Sequence, residues 1–149
     1  MASLDSTDRQ AITDLVLGYA AAADDRDVTA FVALFLPDAT LTARRGSGPG
    51  ATYVGADRLA EIPARLDRYV ETFHVVTNIR AEPGADGDAA IGRSQCRAHH
   101  ITAEGETATD QVLTIRYRDT YRRTDAGWRI ATRDVHILWS EDVAVTLPS

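Results

Sequence analysis

The sequence predicts an α+β domain, with helices first and then a curved antiparallel or mixed sheet wrapped around them. Three observations carry this. Ile12, Leu15, Val16 and Tyr19 recur at three- and four-residue steps, which is one buried face of a helix. From residue 74 onward the apolar residues instead alternate, as Leu113, Ile115, Tyr117 and Tyr121 do. The alternating segments are divided by turn signals at 82–88, at Glu104-Gly105 and at Asp125-Ala126-Gly127. Helices followed by a meander of strands place the helices on one face of a sheet and leave a cavity between the layers. The chain has 149 residues, enough for one real core, and shows neither repeat nor linker, so 1–149 reads as one domain.

The elements follow in order. Ser6-Thr7-Asp8 is a capping cluster for the first helix, which Ala20 to Ala23 extend with good propensity. Asp24 and Asp25 fall at its C-terminal end, where the helix dipole disfavours anions. An acid there needs a cationic or hydrogen-bonding partner, and Asp24, at the frayed end, is the one expected to turn inward. Asp25 and Asp27 read as a polar turn, with Asp27 capping a short second helix, 28–35, that Pro37-Asp38 ends. Residues 39–43 and 53–54 are short strands around a glycine-rich surface loop, 44–50. A third helix, 57–69, is kinked or split by Pro63. Strands are expected at 74–82, 89–102, 109–123 and 128–139.

Composition excludes several chemistries. All 16 basic residues are arginine. Without lysine there is no Schiff base, no lysine-held pyridoxal phosphate and no Walker lysine. Cys96 is the only cysteine, and the four histidines lack chelating spacing, so no metal site and no cofactor are expected. The net charge of −6 argues against nucleic acid. No run is long enough to span a membrane, and the N-terminus lacks a basic segment followed by an apolar one, so a cytoplasmic protein is expected.

The stretch Glu71-Thr-Phe-His-Val-Val-Thr-Asn78 organises the candidate site. On a regular strand His74, Val76 and Asn78 share one face. An imidazole and a carboxamide there line the cavity, with the acidic cluster at 24–27 as a source for the histidine's partner. The other polar candidates on strands are His99, His100, Tyr117, Arg133 and His136. His99 and His100 are adjacent and face opposite ways, so only one enters. Tyr117 also reads as sheet packing, and Arg133 as an ion pair.

The chain resembles the SnoaL-like branch of the nuclear-transport-factor-2-like superfamily, a cone-shaped α+β fold. The resemblance covers nearly the whole chain. It rests on Ile12-Thr-Asp-Leu-Val-Leu-Gly-Tyr19 with Asp24-Asp25-Arg26-Asp27 after it, on Leu34-Phe-Leu-Pro-Asp-Ala39, on His74-Val-Val-Thr-Asn78, and on Tyr121-Arg-Arg-Thr-Asp-Ala-Gly-Trp-Arg-Ile130. Three enzyme groups of that superfamily are similar. Hexachlorocyclohexane dehydrochlorinase has a histidine–aspartate dyad and an arginine that match His74, Asp24 and Arg133. Scytalone dehydratase has an aspartate and two histidines that match Asp24, His74 and His99, but its pocket tyrosines meet alanines here. Bile-acid 7α-dehydratase has a tyrosine, an aspartate and a histidine that resemble Tyr19, Asp24 and His74, and its further aspartate has no match. The resemblance thus implies His74 and Asp24 as catalytic, with Tyr19, Asn78, His99, Tyr117 and Arg133 around the substrate. It implies a cofactor-independent dehydratase, elimination lyase, isomerase or cyclase of secondary metabolism, acting on a small, largely apolar molecule, and a homodimer or other homo-oligomer. The alternative within the same fold is a non-catalytic ligand-binding or assembly subunit.

Overall fold

The computed structural model describes residues 3–149; Met1 and Ala2, part of the N-terminal stretch read above, lie outside the described residues. Helix α1 (Ser6–Asp24) and the short α2 (Val28–Ala33) lead into β1 (Phe35–Arg45) and β2 (Ala51–Val54). Two short helices, α3 (Ala56–Leu59) and α4 (Glu61–Arg65), and a 3-10 turn at 66–68 precede the long strands. These are β3 (Glu71–Pro83), β4 (Ala89–Glu104), β5 (Thr107–Thr124) and β6 (Gly127–Val145). One six-stranded sheet has the order β2-β1-β6-β5-β4-β3. All pairings are antiparallel except β1 with β6, so the sheet is mixed. Among the described residues no helix is long and apolar enough to cross a membrane.

Several boundaries moved, each for a local reason. Asp5 caps α1, accepting from the Asp8 N–H at 2.8 Å, because Asp8 is used elsewhere. The Asp8 carboxylate accepts from the Arg123 guanidinium at 2.7 Å and from the Trp128 indole at 3.0 Å. Those bonds tie the start of α1 to the β5–β6 hairpin, and the Arg123 hydrogen bond leads in holding the Asp8 carboxyl down at about 2. The second helix ends at Ala33 instead of Phe35, since Phe35 already pairs with Ile130. Pro37 lies inside β1, within an irregularity between Phe35 and Thr40, where a strand tolerates a missing N–H. The third helix is split. A proline at 63 clashes with the carbonyl four residues back, at Leu59, which is where α3 stops.

The sheet's concave face is recorded in alternating burial. Ala90, Gly92, Ser94, Cys96, Ala98 and His100 of β4 are buried, while the residues between them are mostly exposed. Facing them across β5 are Leu113, Ile115, Tyr117, Asp119 and Tyr121. Helix α1 packs on this face against β3 and β6, with Ile12, Val16 and Tyr19 buried. Tyr19 meets the rings of Phe31 and Tyr117 at 4.9 and 5.8 Å between centroids.

Candidate active site

The C-terminus of α1 and the start of β3 meet at Asp24 and His74. Asp24 Oδ1 lies 2.6 Å from His74 Nδ1, and Oδ2 accepts the His74 backbone N–H at 2.9 Å. The Thr72 hydroxyl donates to Asp24 Oδ1 at 3.0 Å. Arg26 completes the arrangement. It sits at φ 57, in the left-handed region that ends a helix. Its Nη1 donates to the Ala23 carbonyl at 2.9 Å, to the Asp24 carbonyl at 3.0 Å and to the Thr72 hydroxyl at 2.7 Å. Arg26 thus satisfies the last carbonyls of α1 and orders the hydroxyl that orders Asp24. The partners that an acid at a helix C-terminus requires are His74 and Thr72, with Arg26 holding the hydroxyl in place.

Burial raises the Asp24 pKa, but hydrogen bonds from the His74 ring, the His74 backbone and Thr72 outweigh it, and the net shift is downward. An ionised carboxylate only accepts, so the His74 Nδ1 must carry a proton. The other ring nitrogen, Nε2, then holds a free lone pair in the neutral imidazole.

His100, and not His99, shares this side of the sheet. Its ring stands 5.8 Å from that of His74, edge on, and 4.9 Å from that of Tyr69. His100 Nδ1 is 3.2 Å from the Gln111 carbonyl, which can only accept, so its Nε2 is also a free acceptor. Desolvation lowers the His100 pKa and keeps the ring neutral at neutral pH. Beyond His100 lies a groove of about 450 Å³, lined by Tyr69, Thr102, Thr109 and Gln111 among others.

The expectation for His99 fails on strand parity. His99 points to the convex face, where its Nδ1 meets Asp110 Oδ2 at 2.6 Å beside the exposed Phe73. Asn78 fails for a different reason. The β3–β4 register shifts between Thr77 and Arg80, and Asn78 takes φ 55 at this bulge. Its exposed side chain donates to Gln95 at 2.6 Å instead of entering the cavity.

Tyr19, Tyr117 and Arg133 lie together deeper in the cone. Arg133 is 1 % exposed, with its guanidinium 4.2 Å from the Tyr19 ring centroid and 4.3 Å from that of Tyr117. Sequence reasoning missed its counter-ion. Asp119 accepts from Arg133 Nε at 2.9 Å and from Nη2 at 2.8 Å. The Tyr121 hydroxyl donates to the same carboxylate at 2.7 Å. Gly92 makes room for that tyrosine, since a Cβ there would come within 2.7 Å of its ring. Among the described residues Arg133 Nη1 has no hydrogen-bond partner. Desolvation pushes both tyrosine hydroxyls up, Tyr19 to about 12, and Cys96 to about 11, so none of the three ionises near neutrality.

The model of the SnoaL-like domain matches residues 5–134. The chain belongs to the SnoaL-like domain family. No curated protein matches its sequence. Among solved structures, a protein of Novosphingobium aromaticivorans provisionally described as an aromatic ring hydroxylase is 27% identical, with 95% of this chain and 96% of that one covered at a TM-score of 0.77. Hexachlorocyclohexane dehydrochlorinase LinA-type3 from Novosphingobium barchaimii is 20% identical over 96% of this chain and 95% of its own, at a TM-score of 0.79. A protein provisionally described as a scytalone dehydratase from N. aromaticivorans is 23% identical over 93% and 89%, at 0.76. The last two likenesses are of fold, and they agree with the mixed sheet and N-terminal helices of this SnoaL-like chain.

Proposed function

We propose that this SnoaL-like protein is a cofactor-independent enzyme that moves a proton at carbon in a small organic substrate. The reaction class is dehydration, elimination, isomerisation or a related cyclisation, in the cytoplasm and in secondary metabolism. The observation that carries this is the 2.6 Å contact between Asp24 and His74 Nδ1. It presents Nε2 as a base and stabilises the imidazolium formed when that base takes a proton. His100, the second free acceptor, replaces His99 as the imidazole beside the substrate. Its Nε2 accepts from a hydroxyl of the ligand. Arg133 has a single uncommitted nitrogen, Nη1, as donor for an enolate oxygen at the deep end. The substrate enters by the groove beyond His100, where Arg68, Gln111 and threonines meet its polar substituents and the Tyr69 ring its apolar body.

Solvent exchange tests the reading. Small cyclic ketones with an acidic C–H are incubated with the protein in deuterium oxide. Exchange above buffer is expected, and His74→Ala should remove it. The rate should fall toward acid, because only an unprotonated imidazole accepts the proton. The lowered Asp24 pKa has a definite consequence for that profile. Asp24 stays charged below its ordinary range, so protonation of the carboxylate does not set the fall. Exchange surviving in His74→Ala would move the base elsewhere, with His100 the first place to look.

A second reading has one observation in its favour. Tyr19, Tyr117 and Arg133 are buried and packed on one another, as they would be in a non-catalytic subunit of the same fold. Ligand binding with no exchange in any carbon acid would favour that reading.

Self-association is part of the proposal. On the convex face Phe73 of β3 is 64% exposed and Trp139 of β6 56%, and Val75 and Val143 on the same two strands are exposed as well. Exposed aromatics grouped on one sheet face are covered in a stable assembly. A homodimer is expected, and Phe73→Asp should weaken it. Light scattering that returned 16.2 kDa at micromolar concentration for the unaltered protein would reject this.

A further inference from the structure

At the other end of the convex face three arginines stand in direct cross-strand register. Arg80 of β3 pairs with Arg93 of β4, and Arg93 pairs with Arg118 of β5. Like charges placed directly opposite one another destabilise a sheet. The bulge in β3 makes the row. Without the register shift between Thr77 and Arg80, strand alternation from the inward-facing Thr72 and His74 would carry Arg80 to the concave face. The shift turns it outward, through a non-glycine residue, Asn78, at φ 55. A strained backbone position thus brings a third like charge into line.

Arg116, two residues along β5, adds a fourth cation. Among the described residues none of the four has an ion-pair partner. The acid next in register, Asp134 on β6, is engaged by Arg44 at 3.3 Å. The four arginines, with the carboxamides of Asn78 and Gln95, line a groove of about 530 Å³ with no carboxylate in its wall. That volume suits a small molecule. Guanidinium forks bind carboxylate and phosphate oxygens two at a time, and carboxamide N–H groups add further donors.

We propose that this groove is a binding site for a small organic polyanion, one carrying two or more carboxylate or phosphate groups. It lies across the sheet from the His74–Asp24 pair and does not depend on the reading of that pair. The bound anion offsets the repulsion along the row, so the free protein is the strained state and the liganded one is relaxed.

Citrate and pyrophosphate are the probes, titrated calorimetrically into the full chain, with sodium chloride of matched ionic strength as the control. Two probes separate carboxylate from phosphate preference. Saturable binding of one of them at one site per chain is expected, together with a rise in Tm beyond the salt control. Arg93→Gln, at the centre of the row, should weaken binding by about tenfold or more, because it removes a bidentate partner. The same variant should unfold no earlier than the parent without ligand, since it relieves repulsion on both sides; Arg118→Gln is the second variant and should behave alike. His74→Ala should bind as the parent does. The proposal is overturned if neither probe exceeds the salt control, or if both arginine variants keep full affinity. It is also overturned if they lose assembly in light scattering while probe binding is absent, which would make the row a contact between copies of the chain.

Discussion

Asp24→Asn is expected to lower turnover by about four orders of magnitude while the fold survives. The carboxylate accepts three hydrogen bonds, from the His74 ring, the His74 backbone and Thr72. With its amide oxygen at the Oδ2 position asparagine keeps the backbone N–H, and its NH2 group takes the Oδ1 position, facing both His74 Nδ1 and the Thr72 hydroxyl as a donor. The hydroxyl must turn its proton away, and the ring must answer by moving its proton to Nε2. The base is thereby lost without a change in shape. His74→Ala should be equally inactive, and combining the two should cost little more than either alone, because the pair acts as a unit. Steady-state rates and circular dichroism on the three variants check this. Activity within tenfold of the parent in either single variant would remove the pair from the mechanism.

Asp119→Ala is expected to destabilise the protein by about 3–5 kcal/mol. Asp119 and Arg133 both have fully buried side chains, 2.8 Å apart at the closest atoms. Desolvation works against the Arg133 charge, and the Asp119 carboxylate outweighs it, so the guanidinium remains charged with its pKa raised. Removing the carboxylate leaves that charge in a dry core between two tyrosine rings. The Tyr121 hydroxyl loses its acceptor at the same time. Urea unfolding measures the loss. The control is the double variant Asp119→Leu/Arg133→Met, which removes both charges and should recover most of the stability. Equal instability in single and double variants would mean that packing volume, and not the unpaired charge, decides the effect.

The two variants mark different degrees of legibility. Asp24 was readable because an acid at a helix C-terminus opposes the dipole, and the resemblance to SnoaL-like enzymes paired it with His74. Asp119 was not. It sits in Arg118-Asp-Thr120 among charged and polar neighbours, and nothing local separates it from a solvated strand residue. Its role exists only because β5 and β6 pair with Asp119 opposite Arg133. Arg26 is intermediate. Its position after the helix was visible, but its reach to Thr72, 46 residues away, was not.

The sequence by itself determined the α+β class, the order of the elements, the family and the His74–Asp24 contact. The class and the element order follow from periodicity and turn residues, which act over a few residues and do not need the partner strand, whereas the family and the pairing of His74 with Asp24 follow from the resemblance of whole motifs. Tertiary structure alone decided which of two adjacent histidines faces inward, where Asn78 points and what Arg133 holds. Side-chain direction on a strand is a matter of parity, and one bulge reverses it for every residue beyond. The bulge between Thr77 and Arg80 took Asn78 out of the cavity and put Arg80 into line with Arg93. Cross-strand partners are fixed by register between segments distant in sequence, and no pattern within either segment records it.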